Sequence, residues 1–232
     1  MRMDDLIIEK AAALSYFFIG QGIHLLILLF SGAFVWYLAE PALNQSSWLG
    51  ISEVTWLFIG LAVVFLHQLI VSIVFRLQLG WALFTRLLGK MDLVIWAFLF
   101  SLLLIARPLT VMGLSRASQG TLNIGAVFSR VVALLLLIPA AYTLWSVLRY
   151  FGLIRAMGGD HFRTKYREMP LVTEGAFKYT DNAMYKFAFL LLWAISLYYR
   201  SYPGMLLAVF QHINIWAFYY CTEKPDMELI YQ

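Results

Sequence analysis

The stretch from Val54 to Phe75, VTWLFIGLAVVFLHQLIVSIVF, decides the fold because it runs for 22 residues without Asp, Glu, Lys or Arg. A helix needs about 20 mostly apolar residues to cross a bilayer. The whole chain has this character, since 62% of its 232 residues are hydrophobic and 13% are charged. The apolar stretches are continuous rather than alternating, which predicts helices and not barrel strands. We therefore expect an all-α integral membrane protein.

Similar apolar stretches predict about six transmembrane helices in one polytopic bundle. The expected spans are 16–38, 54–75, 91–106, 124–148, 187–199 and 204–220. The third is short, and we expect it to close at Arg107 and Pro108, because proline removes a helix hydrogen bond. The turn at Pro203 and Gly204 predicts that the last two helices are antiparallel neighbours.

The basic residues predict the orientation of this bundle. With six spans, 13 of the 17 Lys and Arg residues lie on the side of the two termini, and the other side keeps Arg107, Arg116, Arg130 and Arg200. Cytoplasmic loops are enriched in Lys and Arg, so both termini are expected in the cytoplasm. Anionic lipid headgroups then account for the net charge of +4 without a nucleic acid partner.

Cysteine and histidine usage argues against a metal site. The single cysteine, Cys221, excludes an intramolecular disulfide and a cysteine-based zinc site. For His24 and His67, which lie within apolar spans, we expect neutral hydrogen bonding between helices. His212 lies in the last span, which leads into the polar tail, so it is expected nearer to a functional site.

Two polar segments are the expected location of chemistry. Residues 149–186 form the longest polar connection, and their aromatic and glycine content predicts an ordered loop. The tail 221–232 lies on the same side by the topology argument. The chain thus divides into N-terminal helices, 1–123, of unassigned role and a core, 124–232, whose loop and tail form a pocket.

Several residues of these segments also have an ordinary structural interpretation. An acid such as Glu223 is unfavourable near a helix C-terminus and requires a compensating cation. Its ordinary interpretation is a solvated terminal carboxylate paired with Lys224 or with an arginine of the loop. Asp181 and Asn182 suit a helix N-cap. Tyr185 suits an interfacial anchor. The Gly158-Gly159 pair is also typical of a helix end.

The motifs TDNAMY, 180–185, and TEKPDMELIY, 222–231, flank an apolar hairpin. Together they resemble the C-terminal half of the membrane phospholipid N-methyltransferases of the phosphatidylethanolamine type, and of the related isoprenylcysteine carboxyl methyltransferases. GGDHF, 158–162, is similar to a segment found upstream in the lipid enzymes. The resemblance covers about residues 150–232. The chain departs from the family pattern at Ala183, at Phe187 and at Lys224, which replaces the second glutamate of a pair.

This resemblance implies methyl transfer from S-adenosylmethionine in a pocket built from the loop and the tail. It implies that Glu223 binds the ammonium or the ribose of the cofactor, while Asn182 and Tyr185 orient it and Asp181 holds the loop by capping. The full set of expected cofactor-binding residues is Asp181, Asn182, Tyr185, Glu223, Gly158, Gly159 and His212.

The acceptor that the resemblance implies is the amine of a phospholipid headgroup. An ammonium must lose a proton before it attacks, and Asp160, His161 and Glu174 are the candidate general bases. Arg155, Arg163 and Arg167, with Lys165, are candidates for gripping a lipid phosphate. General attraction to the anionic leaflet is the alternative for these cations.

Other functions remain open from the sequence alone. The motifs bear on the cofactor more than on the acceptor, so a prenylated cysteine carboxylate or a small thiol is an alternative acceptor. A membrane protein that kept the bundle without catalysis is the alternative from a different class. The sequence does not predict an oligomeric state.

Overall fold

The structure is a computed structural model that describes residues 10–231, and these residues are almost entirely helical. The helices are α1 Lys10–Phe18, α2 Gln21–Ala39, α3 Glu53–Trp81, α4 Leu83–Leu88, α5 Asp92–Ala117, α6 Ala126–Ser146, α7 Leu153–Ala156, α8 Gly159–Phe162, α9 Thr164–Arg167, α10 Leu190–Tyr199, α11 Tyr202–Phe218 and α12 Lys224–Ile230. A two-stranded antiparallel hairpin, β1 Ser47–Trp48 and β2 Ile51–Ser52, joins α2 to α3.

Four helical segments of the described chain are long and apolar enough to cross a membrane. They are Ala13–Ala42, Glu53–Trp81, Leu83–Ala117 and Ala126–Phe151. This confirms an all-α polytopic membrane protein. The last two predicted spans are helical as well but shorter, with an apolar helix at Met184–Tyr199 and α11 of 17 residues.

The predicted end of the third span is wrong. Helix α5 continues through Pro108 and ends at Ala117. Membrane helices tolerate an internal proline when neighbouring groups satisfy the freed carbonyl. Arg107 therefore lies inside a helix, where it is almost fully buried, and not in a loop.

The predicted first span is interrupted between α1 and α2. Gly20 adopts φ 76°, and a Cβ atom at this position would lie 2.2 Å from the carbonyl oxygen of Cys221. Only glycine allows this backbone conformation and this approach together. The N-terminal helices are thereby held against the start of the C-terminal tail.

The short connections meet at one end of the bundle. The amide of Gly120 donates to the carbonyl of Tyr199 at 3.1 Å, and the amide of Leu122 donates to that of Arg200 at 2.8 Å. The Ser118 hydroxyl also contacts the Ser201 hydroxyl at 2.6 Å. The loop between α5 and α6 therefore packs on the turn of the α10–α11 hairpin.

The polar segments meet at the opposite end, as their sequence predicts. The loop 149–186 is ordered as three one-turn helices, α7 to α9, and a 3₁₀ turn at Gly175–Lys178. A buried apolar cluster that includes Phe75, Trp96, Phe162 and Phe218 packs this loop onto α3, α5 and α11. The loop and the tail thus form a cap over one end of the bundle.

Candidate functional site

A cavity of about 510 Å³ lies beneath this cap. Its walls come from α3, α5, the end of α6, the loop, α11 and the tail. Most of the lining is apolar, with a small number of polar side chains. Ligand pockets in proteins typically measure about 300–1,000 Å³ and have this mixture of surfaces.

Tyr185 and Glu223 connect the two motif segments at this cavity. The Tyr185 hydroxyl donates a hydrogen bond to the Glu223 carboxylate, and both residues line the cavity. Each lies in a π-helical turn, Met184–Ala188 and Tyr219–Glu223. Such turns are rare and frequently occur at functional sites. The TDNAMY and TEKPDMELIY motifs therefore come together in space.

Burial changes the acidity of Glu223. The surrounding protein raises the pKa of its carboxyl to about 7, although the hydrogen bond from Tyr185 acts in the opposite direction. Its side chain keeps intermediate exposure, consistent with a position on the cavity wall. A cation or hydroxyl in the cavity would stabilise the ionised form of Glu223.

A closed cluster of four charged residues lies beside Glu223 and consists of Arg76, Asp160, His161 and Asp226. His161 contacts Asp160 through Nδ1 at 3.0 Å and Asp226 through Nε2 at 3.2 Å. The Nε atom of Arg76 contacts the second carboxylate oxygen of Asp226 at 3.1 Å. All four residues are buried, so α3, the loop and the tail are held together by compensated charges.

The closed cluster fixes the protonation of His161. Burial alone would lower the pKa of the imidazole, but hydrogen bonds and charge from Asp160 and Asp226 outweigh it and raise the pKa to about 9. For Asp160, burial acts to raise the pKa, and the contacts with His161 and the Tyr231 hydroxyl lower it overall. At neutral pH His161 is therefore an imidazolium that donates through both nitrogens.

Gly158 allows the loop to approach α3. The His161 ring stacks on Phe75 with centroids 3.7 Å apart. Gly158 has φ 80°, and a Cβ atom there would lie 2.2 Å from Cζ of Phe75. The glycine thus lets the loop lie directly on the Phe75 ring. At Gly159 a Cβ atom would meet the carbonyl oxygen of Ile154 at 2.8 Å.

The C-terminal part of the chain is similar to a known protein family. Residues 128–232 match the phospholipid methyltransferase family. The match covers a little under half of the chain and includes both motif segments, as the resemblance implied. No curated protein and no solved structure matches the chain.

Six of the predicted site residues line the cavity. These are Arg155, Gly158, Asp160, His161, Tyr185 and Glu223. Asp181 is exposed, and the helical turn that begins at Met184 has no side-chain capping bond, so the expected capping by Asp181 is not observed. Asn182 and Gly159 lie in segments that border the cavity but do not line it.

Two further predicted residues lie away from the cavity. Glu174 is exposed, and its carboxylate accepts from the amide of Thr173 at 3.2 Å. His212 faces α10, where its Nδ1 accepts a hydrogen bond from the Trp193 indole at 3.1 Å. Neither side chain lines the cavity.

The predicted phosphate-binding arginines make different contacts. Arg163 forms a two-pronged ion pair with Asp92, with one contact at 2.8 Å, and lines a more open cleft beside the loop. Arg167 donates to the carbonyl of Asp160 at 2.7 Å. Arg155 donates to the carbonyl of Pro170 at 2.8 Å. All three therefore order the loop, and Arg155 also faces the cavity.

The sequence analysis missed several residues of the site. Arg76 and Asp226 complete the closed cluster, and the Tyr231 hydroxyl donates to Asp160 at 3.1 Å. The signal for Asp226 was available, because it lies one helical turn after Glu223 in the TEKPDMELIY motif. Arg76 carried a weaker signal, as a cation at the end of an otherwise uncharged span.

Lys224, the main departure from the family pattern, points away from the cavity. Its side chain is exposed and lies 3.9 Å from Glu228, one turn further along α12. A lysine here therefore does not place a positive charge beside Glu223 inside the pocket.

Proposed function

We propose that this protein is a membrane methyltransferase that transfers a methyl group from S-adenosylmethionine to the amine of a phospholipid headgroup. The observation that carries the proposal is the meeting of Tyr185 and Glu223 at one wall of a cavity, since both residues belong to the segment that matches the phospholipid methyltransferase family.

The cavity is suited to the cofactor in size and chemistry. S-adenosylmethionine carries an ammonium, a carboxylate, ribose hydroxyls and an adenine, and it supplies a methyl group already activated by a sulfonium. In this proposal Glu223 binds the ammonium or the ribose, and Tyr185 orients the Glu223 carboxylate. Gly158 brings loop backbone to the same wall. His212 does not line the cavity, but its ring packs on the lining residue Phe189 with centroids 5.6 Å apart.

The apolar walls suit a lipid acceptor. Leu104, Leu144 and Leu148 line the cavity and remain 42%, 45% and 63% exposed. They belong to α5, to the end of α6 and to the π-helical turn Val147–Phe151 that follows it, and the outer surfaces of these segments face the bilayer in a membrane-spanning bundle. Acyl chains therefore have an apolar path to the cavity, and the same walls exclude water from the aligned reactants.

The acceptor amine must lose a proton before it reacts, because an ammonium has no free electron pair. Among the three candidate bases, Asp160 is the one we retain, since it is ionised at neutral pH and faces the cavity. His161 already holds its proton, and Glu174 is exposed outside the cavity. Because the pKa of Asp160 is lowered, its carboxylate is a weak base. We therefore propose that it passes the proton of the amine through water to the solvent.

The proposed location follows from the charge distribution. We infer that both termini, the loop and the tail face the cytoplasm, where most of the Lys and Arg residues would then lie. Arg163 and Arg167, on the capping loop, then lie on the side of the anionic headgroups, while the buried Arg155 lines the cavity and would contact the phosphate of the lipid there.

Methyl transfer in proteoliposomes tests this function. Purified protein is reconstituted with phosphatidylethanolamine and S-adenosylmethionine labelled on the methyl group, and lipids are analysed by mass spectrometry. We expect labelled monomethyl, dimethyl or trimethyl headgroups. Glu223→Gln should reduce the rate at least tenfold, while Glu228→Gln, an exposed acid of the same tail, should retain it. If a folded protein binds the cofactor but produces no labelled lipid, phosphatidylethanolamine is not the acceptor.

A further inference from the structure

A second polar group lies at the deep end of the cavity and is formed by His67, Gln68 and Arg107. Arg107 is 2% exposed and sits in the middle of α5. Its Nε donates to the Gln211 side chain at 2.9 Å, and its Nη2 donates to the Gln211 carbonyl at 3.1 Å. The guanidinium also lies over the Phe189 ring, 4.9 Å from the centroid. These contacts fix its position firmly.

The remaining nitrogen of this guanidinium has no hydrogen-bond partner in the part of the chain that the structure describes. Within residues 13–231, Nη1 of Arg107 is buried and makes no hydrogen bond. Nδ1 of His67 and Oε1 of Gln68 are also buried without a partner in this part of the chain. All three residues line the cavity. The expected interhelical hydrogen bond of His67 is thus not observed at Nδ1, whereas His24 lies 3.5 Å from the Ser72 hydroxyl on the neighbouring helix.

An unpaired cation in apolar surroundings is energetically unfavourable. Burying a charge is costly unless it is paired and hydrogen-bonded. The salt bridges of residues 13–231 include no carboxylate partner for Arg107. Gln211 and Phe189 orient the guanidinium but do not neutralise it. A bound anion that reaches Nη1 through the cavity would compensate this charge.

The position of this polar group suits the far end of an elongated ligand. His67 precedes Phe75 by eight residues on α3, and both line the cavity. At 1.5 Å per residue they are about 12 Å apart along the helix. The cavity therefore has one polar end at Glu223 and Asp160 and another at Arg107, with apolar walls between them.

We propose that Arg107, supported by His67 and Gln68, binds an oxyanion of the methyltransferase's ligand. The oxyanion is either the carboxylate of the cofactor or the phosphate of the acceptor lipid, so this assignment rests on the proposed function. Both ligands carry an amine near their oxyanion. Nη1 donates to the oxyanion, and Gln68 accepts from a neighbouring N–H or O–H of the ligand. Arg107 lies outside the segment matched to the family, 128–232.

Two variants test the proposal. Arg107→Gln removes the charge, and Arg116→Gln is the matched control, because Arg116 lies on the same helix but is exposed and bonded to Gln119. Leu104→Glu leaves Arg107 and its contacts in place. It offers Nη1 an internal carboxylate from the cavity wall one turn away, and Leu104→Gln is its uncharged control. The second pair keeps the test valid if Arg107→Gln does not fold.

Two ligand pairs distinguish the sources of the oxyanion. Calorimetry in uncharged detergent compares S-adenosylhomocysteine with its decarboxylated analogue. Thermal unfolding compares stabilisation by dihexanoyl phosphatidylethanolamine with stabilisation by dihexanoyl glycerol. We expect Arg107→Gln and Leu104→Glu to weaken the binding of one oxyanion-bearing ligand about 10- to 100-fold. Binding of the ligand without the oxyanion should stay within about twofold in Arg107→Gln, and Leu104→Glu should differ from Leu104→Gln only in its binding of the oxyanion-bearing ligand.

The outcomes separate this proposal from the proposed function. If the variants lose affinity only for S-adenosylhomocysteine, the oxyanion that Arg107 binds is the cofactor carboxylate. If they lose affinity only for the phospholipid, it is the lipid phosphate. If the wild-type protein does not bind S-adenosylhomocysteine, the proposed function fails, while the phospholipid pair still tests Arg107. If folded Leu104→Glu and Arg107→Gln bind every ligand as the wild type does, the oxyanion site is wrong.

Discussion

The closed cluster and the deep polar group both bury positive charge against the same cavity, but only the closed cluster contains its own counter-charges. In the closed cluster Arg76 and His161 are matched by Asp160 and Asp226, with contacts of 3.0 to 3.2 Å. In the deep polar group Arg107 has hydrogen bonds to an amide and a carbonyl, but no salt bridge to an acid within residues 13–231.

This difference teaches how to assign roles to buried charges. A set of buried charges that compensate one another is tolerated in the folded protein, but removing one member strongly lowers the free energy of unfolding. Such a set holds the elements that carry it together. An uncompensated cation gains most when a ligand supplies the missing charge. The closed cluster should therefore control stability, and the deep polar group should control binding.

The largest expected effect is on stability, from breaking the closed cluster at Asp226. In Asp226→Asn, Arg76 and His161 lose the charge that they share. Removing one partner of a buried pair typically costs about 3–5 kcal/mol. Thermal unfolding in detergent should show this loss as a clearly lowered melting temperature.

The matched control for Asp226→Asn is Glu228→Gln in the same helix. Glu228 is exposed and pairs weakly with Lys224, so its loss should change the free energy of unfolding by less than about 1 kcal/mol. Equal melting temperatures for the two variants would show that the closed cluster does not lock the tail to α3.

A smaller effect should appear when the closed cluster is titrated. The pKa of His161 is raised from 6.5 to about 9 in the folded protein. Its contribution to stability is therefore complete below about pH 6.5 and is lost as the pH rises through 9. Melting temperatures measured between about pH 8 and pH 10 should fall for the wild type.

The pH test needs a variant without the imidazole, because other groups also titrate in this range. In His161→Gln the fall between about pH 8 and pH 10 should be visibly shallower than in the wild type. Parallel curves for the two proteins would mean that His161 is not the group whose proton stabilises the cap.

The smallest effect is expected at Lys224. Lys224→Glu restores the acid that the family pattern has at this position, but the side chain is exposed outside the cavity. We expect S-adenosylhomocysteine affinity to change less than about twofold and stability to change by less than about 1 kcal/mol. A tenfold gain in affinity would mean that residue 224 does reach the ligand.

The sequence predicted the elements that local patterns determine. Continuous apolar runs identified the helices, and the motif resemblance identified Tyr185 and Glu223, which meet across the hairpin. The end of the third span was mispredicted, because the helix-breaking tendency of Pro108 is overridden within the bundle.

The parts of the site that depend on distant contacts were not predictable in the same way. Arg76 and Asp226 are 150 residues apart, and only the packing of α12 against α3 pairs them. Arg107 was assigned to a loop because the span was ended too early. The N-terminal helices, whose role was unassigned, contribute Phe75 and Arg107 to the cavity walls.

The most direct test of the account is calorimetric titration of the purified protein with S-adenosylhomocysteine. The wild type should bind, and Glu223→Gln should weaken binding about 10- to 100-fold, the cost of losing one charge-assisted contact. Because the pKa of Glu223 is about 7, wild-type affinity should also fall as the pH drops below 7, by up to about tenfold per unit. Binding by Glu223→Gln with unchanged affinity and unchanged pH dependence would contradict the assignment of the Tyr185–Glu223 wall as the cofactor site.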